Sequence, residues 1–448
     1  MLTPEAATDR AADLIARARQ AGADAADAVY SANSAEGIQV RLGKLEDVER
    51  SEGEHMGLRV FIGQRSASIG SSDLSSAALD ELAQRAVAMA RSAPEDRFAG
   101  LAPEHMLTRA PFADFDLADA ADPGPQALRL AAQEAEDAAR AIAGVSNSDG
   151  ASASAGSSVF ALATSHGFAG GYRGTSHSIS ASVVAGEGSD KQRDSAWRQA
   201  RHREDLPAAA EIGALAGTRA VARVRPGRLR SGPMPVVFDP RVSSSIVGHL
   251  ISAMSGSAIA RRSSFLLGKE DEQLFAPELL LVENPHAPRG SRSRPFDGEG
   301  LATQPRNLVE NGRLTGWLMD SASARQLGEQ PTGHAARGGG GAPGVTVGNV
   351  HLAAGALSPQ ALIADIAEGV LVTELIGQGV NGVTGDYSRG ASGFRIVNGE
   401  IAGPVAEFTV AGNLLTMFAA MIPADDLEWH RPINVPTLRI DAMTVAGD

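Results

Sequence analysis

The sequence predicts an α+β protein in which two helix–antiparallel-sheet–helix units precede a β-rich C-terminal domain. Three observations lead to this prediction. Amphipathic helices flank alternating strand-like segments, and this order occurs twice in the first half of the chain. In the second half, turn glycines separate short apolar runs, as in a barrel or a sandwich. A chain of 448 residues is also too long for one simple core.

The first predicted domain covers residues 1–95. Thr3 is placed to cap a helix through "EAATDRAADLIARARQAG". Strand-like segments follow, and Leu42-Gly43-Lys44 and Ile62-Gly63-Gln64 have the composition of hairpin turns in an antiparallel sheet. Ser75 then caps a second helix, "SAALDELAQRAVAMARSA".

The second predicted domain, residues 96–230, begins with a Pro-rich connector. It repeats the order of the first: a helix "PQALRLAAQEAEDAARAIAG", strands of small residues, and a helix "LPAAAEIGALAGTRAVARV". The third, residues 231–448, follows the boundary "RPGRLRSGPMP" and is rich in Gly and β-branched residues. We expect helices to interrupt its strands at "SIVGHLISAMSG" and "SPQALIADIAEG".

Composition excludes several classes of protein. A formal net charge of −13 argues against a general nucleic-acid binder, which needs clustered cations. The absence of cysteine excludes disulfides, iron–sulfur clusters, thiolate zinc sites and a thiol nucleophile within the chain. The N-terminal stretch is charged and amphipathic, unlike a signal peptide, and the apolar stretch "TVAGNLLTMFAAMIPA" is too short to span a bilayer. We therefore expect a cytoplasmic protein with neither a membrane nor a nucleic acid as partner.

The glycine-rich motifs do not predict a nucleotide site. Gly377, Gly379 and Gly382 form a G-x-G-x-x-G after a strand-like run, but the chain continues into "VTGDYSRGASGFRI", which is too glycine-rich for the helix that this fingerprint needs. "GGGGAPG" lacks the lysine and helix of a phosphate loop and is interpreted as a flexible flap. There is no G-x-S-x-G elbow either.

Metal binding is harder to judge from the sequence. The ten histidines are dispersed, and no two have the i, i+2 or i, i+4 spacing by which one strand or helix presents ligands together. The closest pair, His166 and His177, is better explained by polar surface histidines. A ligand set assembled from distant parts of the chain stays open.

Several stretches resemble the TldD/PmbA family of metallopeptidase subunits. They are "NGVTGDYSRGASGFRIVNGEI", "FTVAGNLLTMF" and "FDGEGLATQPRNLVENGRLTGWLMDSASARQLGEQPTGHAARG". The resemblance extends over the whole chain and is nearest to the PmbA branch, also called TldE. It implies a three-part layout and an assembly that hydrolyses peptides and unfolded or small proteins.

In the TldD branch of that family, a helix carries His-Glu-x-x-x-His and a cysteine near the C-terminus adds a zinc ligand. The stretch "SIVGHLISAMSG" resembles that helix in position. Aligned on the following Gly256, the ligand and base positions fall near Val247, Gly248 and Ser252, none of which is suited to either role. His249 is out of register and is expected to be a structural histidine with its hydrogen bonds satisfied. We therefore expect neither a catalytic residue nor a metal in this chain, and zinc in a partner subunit.

The resemblance implies that this chain supports a TldD-like catalytic subunit, in a heterodimer. A homodimer of the chain when that partner is absent stays open. One alternative is an independent homodimeric hydrolase, and another is a regulatory binding protein without proteolytic activity. Five polar residues are candidates for a scattered site, or for contacts with substrate or partner: His334, Arg337, Asp386, Tyr387 and Arg389.

Overall fold

The computed structural model describes residues 1–447. Its N-terminal half contains, in chain order, α1 (Pro4–Gln20), β1 (Ala25–Arg41), β2 (Lys44–Ile62), β3 (Arg65–Ser71), α2 (Ser76–Ser92), α3 (Gly124–Arg140), β4 (Val145–Thr164), β5 (Ala169–Ala185), β6 (Gln192–Ala200) and α4 (Ala209–Ala222). The strands form one antiparallel sheet in the order β3-β2-β1-β4-β5-β6. Because β1 pairs with β4 along most of its length, the first two predicted domains share this sheet.

Local sequence signals set the ends of these elements as predicted. Thr3 caps α1 by accepting the N–H of Ala6, and Ser75 caps α2 in the same way. The turn between β1 and β2 places Leu42 and Gly43 at φ of 51° and 74°, the left-handed backbone that a two-residue hairpin requires. The predicted caps and the predicted hairpin turn are confirmed.

The four helices cover one face of the sheet and form two alanine-rich cores. α1 and α2 pack over the first strands, around Leu14, Leu58 and Leu79. α3 and α4 pack over the end of β1, the start of β4, the end of β5 and over β6, around Ile212 and Val183. Small side chains let helices and sheet approach closely, which explains how so few aromatic residues suffice for packed interiors.

The buried carboxylate of Glu136 ties the two halves of the sheet together. It lies on α3, and its Oε1 accepts the Leu42 N–H at 2.6 Å and the Ser148 hydroxyl at 2.5 Å. Its Oε2 accepts the Gly43 N–H at 2.8 Å. A side chain of the second predicted domain thus satisfies the backbone of the first hairpin turn.

Replacing Glu136 with alanine should lower the free energy of unfolding by about 2 kcal/mol, because buried N–H groups lose their acceptor. Urea denaturation of the purified chain measures this. Glu134→Ala, at an exposed position of the same helix, is the control and should change stability by less than about 0.5 kcal/mol. Equal effects of the two substitutions would contradict the role given to Glu136.

The C-terminal half is rich in short strands. Its elements are β7 (Gly232–Phe238), α5 (Pro240–Ala253), α6 (Gly256–Ala260), β8 (Leu281–Asn284), β9 (Arg306–Glu310), β10 (Arg313–Leu314), α7 (Ser321–Leu327), β11 (Ala335–Ala336), β12 (Gly344–Val345), β13 (Asn349–Leu352), α8 (Pro359–Ile363), β14 (Glu368–Ile376), β15 (Asp386–Val397), β16 (Glu400–Asn413), α9 (Leu414–Ala419), β17 (Met421–Pro423), β18 (Ile433–Asn434) and β19 (Leu438–Ala446). The predicted mixed α+β class with a β-rich C-terminal part is confirmed.

The main C-terminal sheet closes into a barrel. Its strand order is β16-β15-β14-β7-β19-β17, and β16 also pairs with β19, from Thr409↔Ala446 to Ala411↔Thr444. A second sheet, β10-β9-β8-β13-β18, lies beside it. α5 contacts strands of both sheets, namely β7, β14 and β18. The stretch "SIVGHLISAMSG" is thus held in a fixed place between the sheets.

The C-terminal half packs on the face of the N-terminal sheet. Phe296 inserts among aromatic rings there, with its ring centroid 4.9 Å from that of Phe112 and 4.8 Å from that of Phe168. The glycine run interpreted from sequence as a flap also meets this face: a Cβ on Gly57 of β2 would lie 1.9 Å from the carbonyl oxygen of Gly339.

In residues 1–447, the helices are too short or too polar to cross a membrane.

Because the glycine run leaves no room for a side chain at position 57, Gly57→Val should displace that run and destabilise the chain by about 1–3 kcal/mol. The matched control is Gly53→Val on the same strand, where an added Cβ meets nothing within 4 Å. Thermal unfolding and limited proteolysis of residues 338–344 would report the effect. If Gly57→Val is as stable and as resistant to proteolysis as Gly53→Val, the two halves do not dock as described.

Candidate functional site

α5 is amphipathic, and its two sides have different surroundings. Asp239 caps it by accepting the Arg241 N–H at 2.9 Å. Ile246 and Leu250 are buried in the C-terminal core. The other side is partly open, because a Cβ on Gly248 would meet nothing within 4 Å.

Val247, Gly248 and Ser252, the positions that the resemblance pairs with the TldD ligands, are not placed as a set of metal ligands. Val247 is 3% exposed and packs in the core. Gly248 has no side chain, and the exposed Ser252 donates its hydroxyl hydrogen to the Gly248 carbonyl at 3.0 Å. Within residues 1–447, His, Cys, Asp and Glu side chains are nowhere grouped in threes as a metal ion requires. The residues present on α5 therefore do not fit a catalytic zinc ion.

His249 does not have the satisfied hydrogen bonds that we expected from the sequence. Its Nε2 is buried and finds no hydrogen-bond partner in the described part of the chain. Its ring stands edge-on to that of Tyr387, with centroids 6.1 Å apart and an interplanar angle of 72°. The expectation failed because the neighbour of His249 is an aromatic ring on a strand that is distant in sequence.

Tyr387 and Arg389 lie on β15 facing His249. They are two residues apart, so a pleated strand directs both to the same side. Tyr387 is 1% exposed, and its hydroxyl makes no hydrogen bond that meets normal geometry in residues 1–447. Burial raises the pKa of Tyr387 to about 12, while the nearby Arg389 opposes that rise. Burial, and secondarily the Arg389 charge, lower the pKa of His249. At neutral pH, Tyr387 is therefore protonated and His249 uncharged.

Asp386 belongs to different surroundings. It is exposed, and its carboxylate accepts the Thr384 hydroxyl at 2.6 Å and the Asn413 amide at 3.2 Å. These two hydrogen bonds lower the pKa of Asp386. The carboxylate supports the turn before β15, and strand alternation directs it away from the side that carries Tyr387 and Arg389.

His334 is a buried partner of Glu283. Its Nε2 lies 2.7 Å from Glu283 Oε2, and its Nδ1 lies 2.8 Å from the Thr332 hydroxyl. The Gly348 N–H donates to the other carboxylate oxygen of Glu283 at 2.5 Å. Burial raises the pKa of Glu283, but the His334 hydrogen bond and charge, the Gly348 N–H and the Arg294 charge together outweigh burial and leave that pKa below its ordinary value. This pair holds β8 to the segments before and after the glycine run.

Arg337 belongs to a buried charge cluster with Asp27, Arg59 and Glu299. Arg337 Nη2 lies 2.8 Å from Asp27 Oδ1, and its side chain is 0% exposed. Arg59 Nε donates to Asp27 Oδ2 at 2.7 Å, and its Nη2 lies 3.5 Å from Glu299 Oε1. Two cations and two carboxylates therefore neutralise each other between the N-terminal sheet and the C-terminal half.

The five scattered candidates do not converge on one site. His334 and Arg337 are each paired in separate buried groups, and Asp386 supports a turn. Tyr387 and Arg389 do come together, with His249 as the third member. Sequence spacing indicates that Tyr387 and Arg389 share one side of a strand. It contains no signal that α5 packs against that strand.

Comparison with known proteins identifies the scaffold. Models of the PmbA/TldA metallopeptidase family match the chain in three consecutive parts: domain 1 at residues 26–90, the central domain at 111–224 and the C-terminal domain at 231–447. The chain is also 36% identical over 427 residues to the metalloprotease PmbA of Escherichia coli O157:H7. The aligned region covers 95% of this chain and 92% of that protein. The chain belongs to the PmbA/TldD metallopeptidase family, in its PmbA (TldE) branch.

Two crystal structures have the same fold. One, from Bacteroides thetaiotaomicron, is described as a candidate modulator of DNA gyrase; it superposes with a TM-score of 0.90 at 26% identity over 100% of both chains. The other is TldE from Thermococcus kodakarensis, with a TM-score of 0.85 at 21% identity over 98% of this chain and 100% of that one. The two solved structures therefore share the architecture of this chain from α1 to β19.

Proposed function

We propose that this chain is the metal-free subunit of a two-subunit peptidase, in which a TldD-like partner holds zinc and cleaves the peptide. The observation that carries the proposal is the composition of α5, the helix that the resemblance sets in the place of the TldD metal helix. It bears one histidine, His249, and no carboxylate. A hydrolytic zinc site needs several ligands and a general base.

The proposal does not depend on one alignment of the metal motif. Aligned on Val247, Gly248 and Ser252, the motif retains neither a ligand nor the base. Shifted three residues earlier, it falls on Ser244, Ser245 and His249 and retains one imidazole, still without a carboxylate. The Arg389 cation beside His249 further disfavours a divalent metal, because like charges repel.

The substrates we propose are peptides and unfolded small proteins, and the location is the cytoplasm. The relative from Escherichia coli is named a metalloprotease, and the family match covers both halves of this chain. The role of the present subunit is then to complete the substrate chamber and hold the partner in its active form. This role is compatible with a chain that keeps the complete scaffold and lacks the ligands.

The test is to purify the chain alone, the TldD-like subunit of the same organism alone, and the two together, and to measure cleavage of an unstructured peptide. We expect cleavage by the pair, its loss with a chelator, and none by this chain alone. Cleavage by this chain alone that a chelator abolishes would reject the proposal. A stable pair without any product would favour a regulatory binding protein instead.

The independent homodimeric hydrolase has less support. It requires His334 and Arg337 in a site accessible to substrate, whereas both side chains are buried, at 4% and 0% exposure, and paired with carboxylates. The oligomeric state of the isolated chain, from light scattering, would show whether it self-associates without its partner.

A further inference from the structure

The His249–Tyr387–Arg389 cluster has unused hydrogen-bonding capacity. His249 Nε2, Tyr387 Oη and Arg389 Nε are all buried, and in residues 1–447 none of them makes a hydrogen bond of normal geometry. Arg389 lies close enough to lower the pKa of both Tyr387 and His249. Buried polar groups nearly always have well-formed hydrogen bonds, so three neighbouring ones without them need an explanation. An external group that fills this set would supply one.

We propose that the His249–Tyr387–Arg389 cluster is a carboxylate-binding subsite that anchors a peptide, an inference that rests on the proposed peptidase role. The ligand group is a carboxylate, either the C-terminal one of the peptide or that of an acidic side chain. The cluster acts in binding and takes no part in bond cleavage.

The charge of the cluster determines whether the ligand group is an anion or a cation. Arg389 makes no ion pair with a carboxylate in the described residues, unlike Arg59 and Arg337. Besides Tyr387, its neighbour across the strand pair is apolar: Val410 lies opposite it on β16 and is 0% exposed. A guanidinium on an apolar surface attracts an anion, and its planar fork matches the two oxygens of a carboxylate.

The other two members of the cluster favour a singly charged anion. Tyr387 keeps its proton at neutral pH and donates it, and neutral His249 donates from one ring nitrogen. One formal positive charge therefore lies among neutral donors. This arrangement neutralises one carboxylate and leaves a phosphate dianion only half compensated.

The position of the cluster connects it with a peptide chain. His249 and Arg389 are partly exposed, and the space above Gly248, the residue next to His249, is open. The open side of α5 beside Gly248 is the approach that this proposal gives to the ligand. In the proposed pair, α5 takes the place that the catalytic helix has in the partner.

The experiment uses the full chain and three fluorescein-labelled unstructured peptides that differ in one group: a free C-terminal carboxylate, a C-terminal amide, and the same amide with one central glutamate. Fluorescence anisotropy gives each dissociation constant. We expect at least one acidic peptide to bind about tenfold or more tightly than the neutral amide, as one charge-assisted contact allows. Preference for the free acid alone identifies the C-terminal carboxylate, and preference for the glutamate peptide alone identifies a side-chain carboxylate. Equal preference for both shows that the subsite accepts either.

Arg389→Gln should remove the preference, and Tyr387→Phe should reduce it severalfold. Arg395→Gln, an arginine farther along β15 whose Nη2 donates to a backbone carbonyl at 3.1 Å, is the control and should keep it. Circular dichroism melts verify that each variant is folded. Equal affinities of all three peptides for the wild-type chain, or no binding of any, would overturn the inference.

Activity of the assembled pair separates the two proposals. If the pair cleaves the acidic and neutral peptides with the same KM, the subsite is refuted while the peptidase role stands. If this chain alone cleaves peptides in a chelator-sensitive manner, the peptidase role as proposed fails, whatever the anisotropy shows.

Discussion

Arg59→Met is expected to lower the free energy of unfolding by about 3–5 kcal/mol, the cost typical of breaking a buried ion pair. Methionine has a similar length but no charge, so Asp27 loses one of its two cationic partners and Glu299 loses the one at 3.5 Å. Both carboxylates are nearly inaccessible to water, with side-chain exposures of 3% and 2%. Asp27 would then keep Arg337 as its ion-pair partner, and Glu299 would keep the attraction of the half-buried Arg325.

Arg50→Met is the matched control for this experiment. Arg50 lies on the same strand, β2, and pairs with Glu52 at 2.7 Å, but the two side chains are 71% and 61% exposed. Exposed pairs contribute little, so the change should stay below about 1 kcal/mol. Urea unfolding measured by tryptophan fluorescence compares the two variants. A small effect at Arg59 as well would show that the buried cluster does not hold the two halves together.

His334→Ala is the second large expected effect, with a loss of about 3 kcal/mol. The substitution removes the His334 partner of Glu283 and leaves a carboxylate that is 1% exposed with the Gly348 N–H as its remaining hydrogen-bond donor among the described residues. The loss should appear as instability of the chain rather than as a specific loss of chemistry. His105→Ala, at an exposed position, is the control and should be close to neutral.

The free energy of unfolding should change with pH in opposite directions for the wild type and for His334→Ala. Because the folded pKa of Glu283 is lowered, its ionised form stabilises the chain above the unfolded pKa of about 4.3, and this contribution disappears as the pH falls through the folded pKa. Without His334, burial dominates and raises that pKa, so the variant should lose stability as the pH rises toward neutrality. Unfolding free energies at pH 5 and pH 7 that move in parallel for wild type and variant would contradict this explanation.

Features that depend on neighbouring residues were predictable from the sequence. Thr3 and Ser75 cap their helices, and Gly43 forms the hairpin turn, because each needs only the few residues around it. The joining of the first two predicted domains was not predictable, since the β1–β4 pairing connects Asp27 to Thr164 across two helices and two strands. The predicted boundaries at 95 and 230 describe the order of segments along the chain, and the sheet crosses the first of them.

The candidate site shows the same limit. Tyr387 and Arg389 are neighbours in the segment "GDYSRG", and strand alternation places them together. Their contact with His249 depends on how α5 lies against β15, which is a matter of tertiary packing. For the same reason, the partners of His334 and Arg337, namely Glu283 and Asp27, were missed: acidic residues are common, and nothing in the sequence marks those two as buried.

The metal content of the isolated, tag-free protein tests the central claim most directly. After expression in zinc-supplemented medium and dialysis, inductively coupled plasma mass spectrometry should find far less than one transition-metal ion per chain, while the TldD-like subunit treated in parallel retains its zinc. One ion bound per chain, and lost in His249→Ala, would contradict the account and place a metal centre on α5.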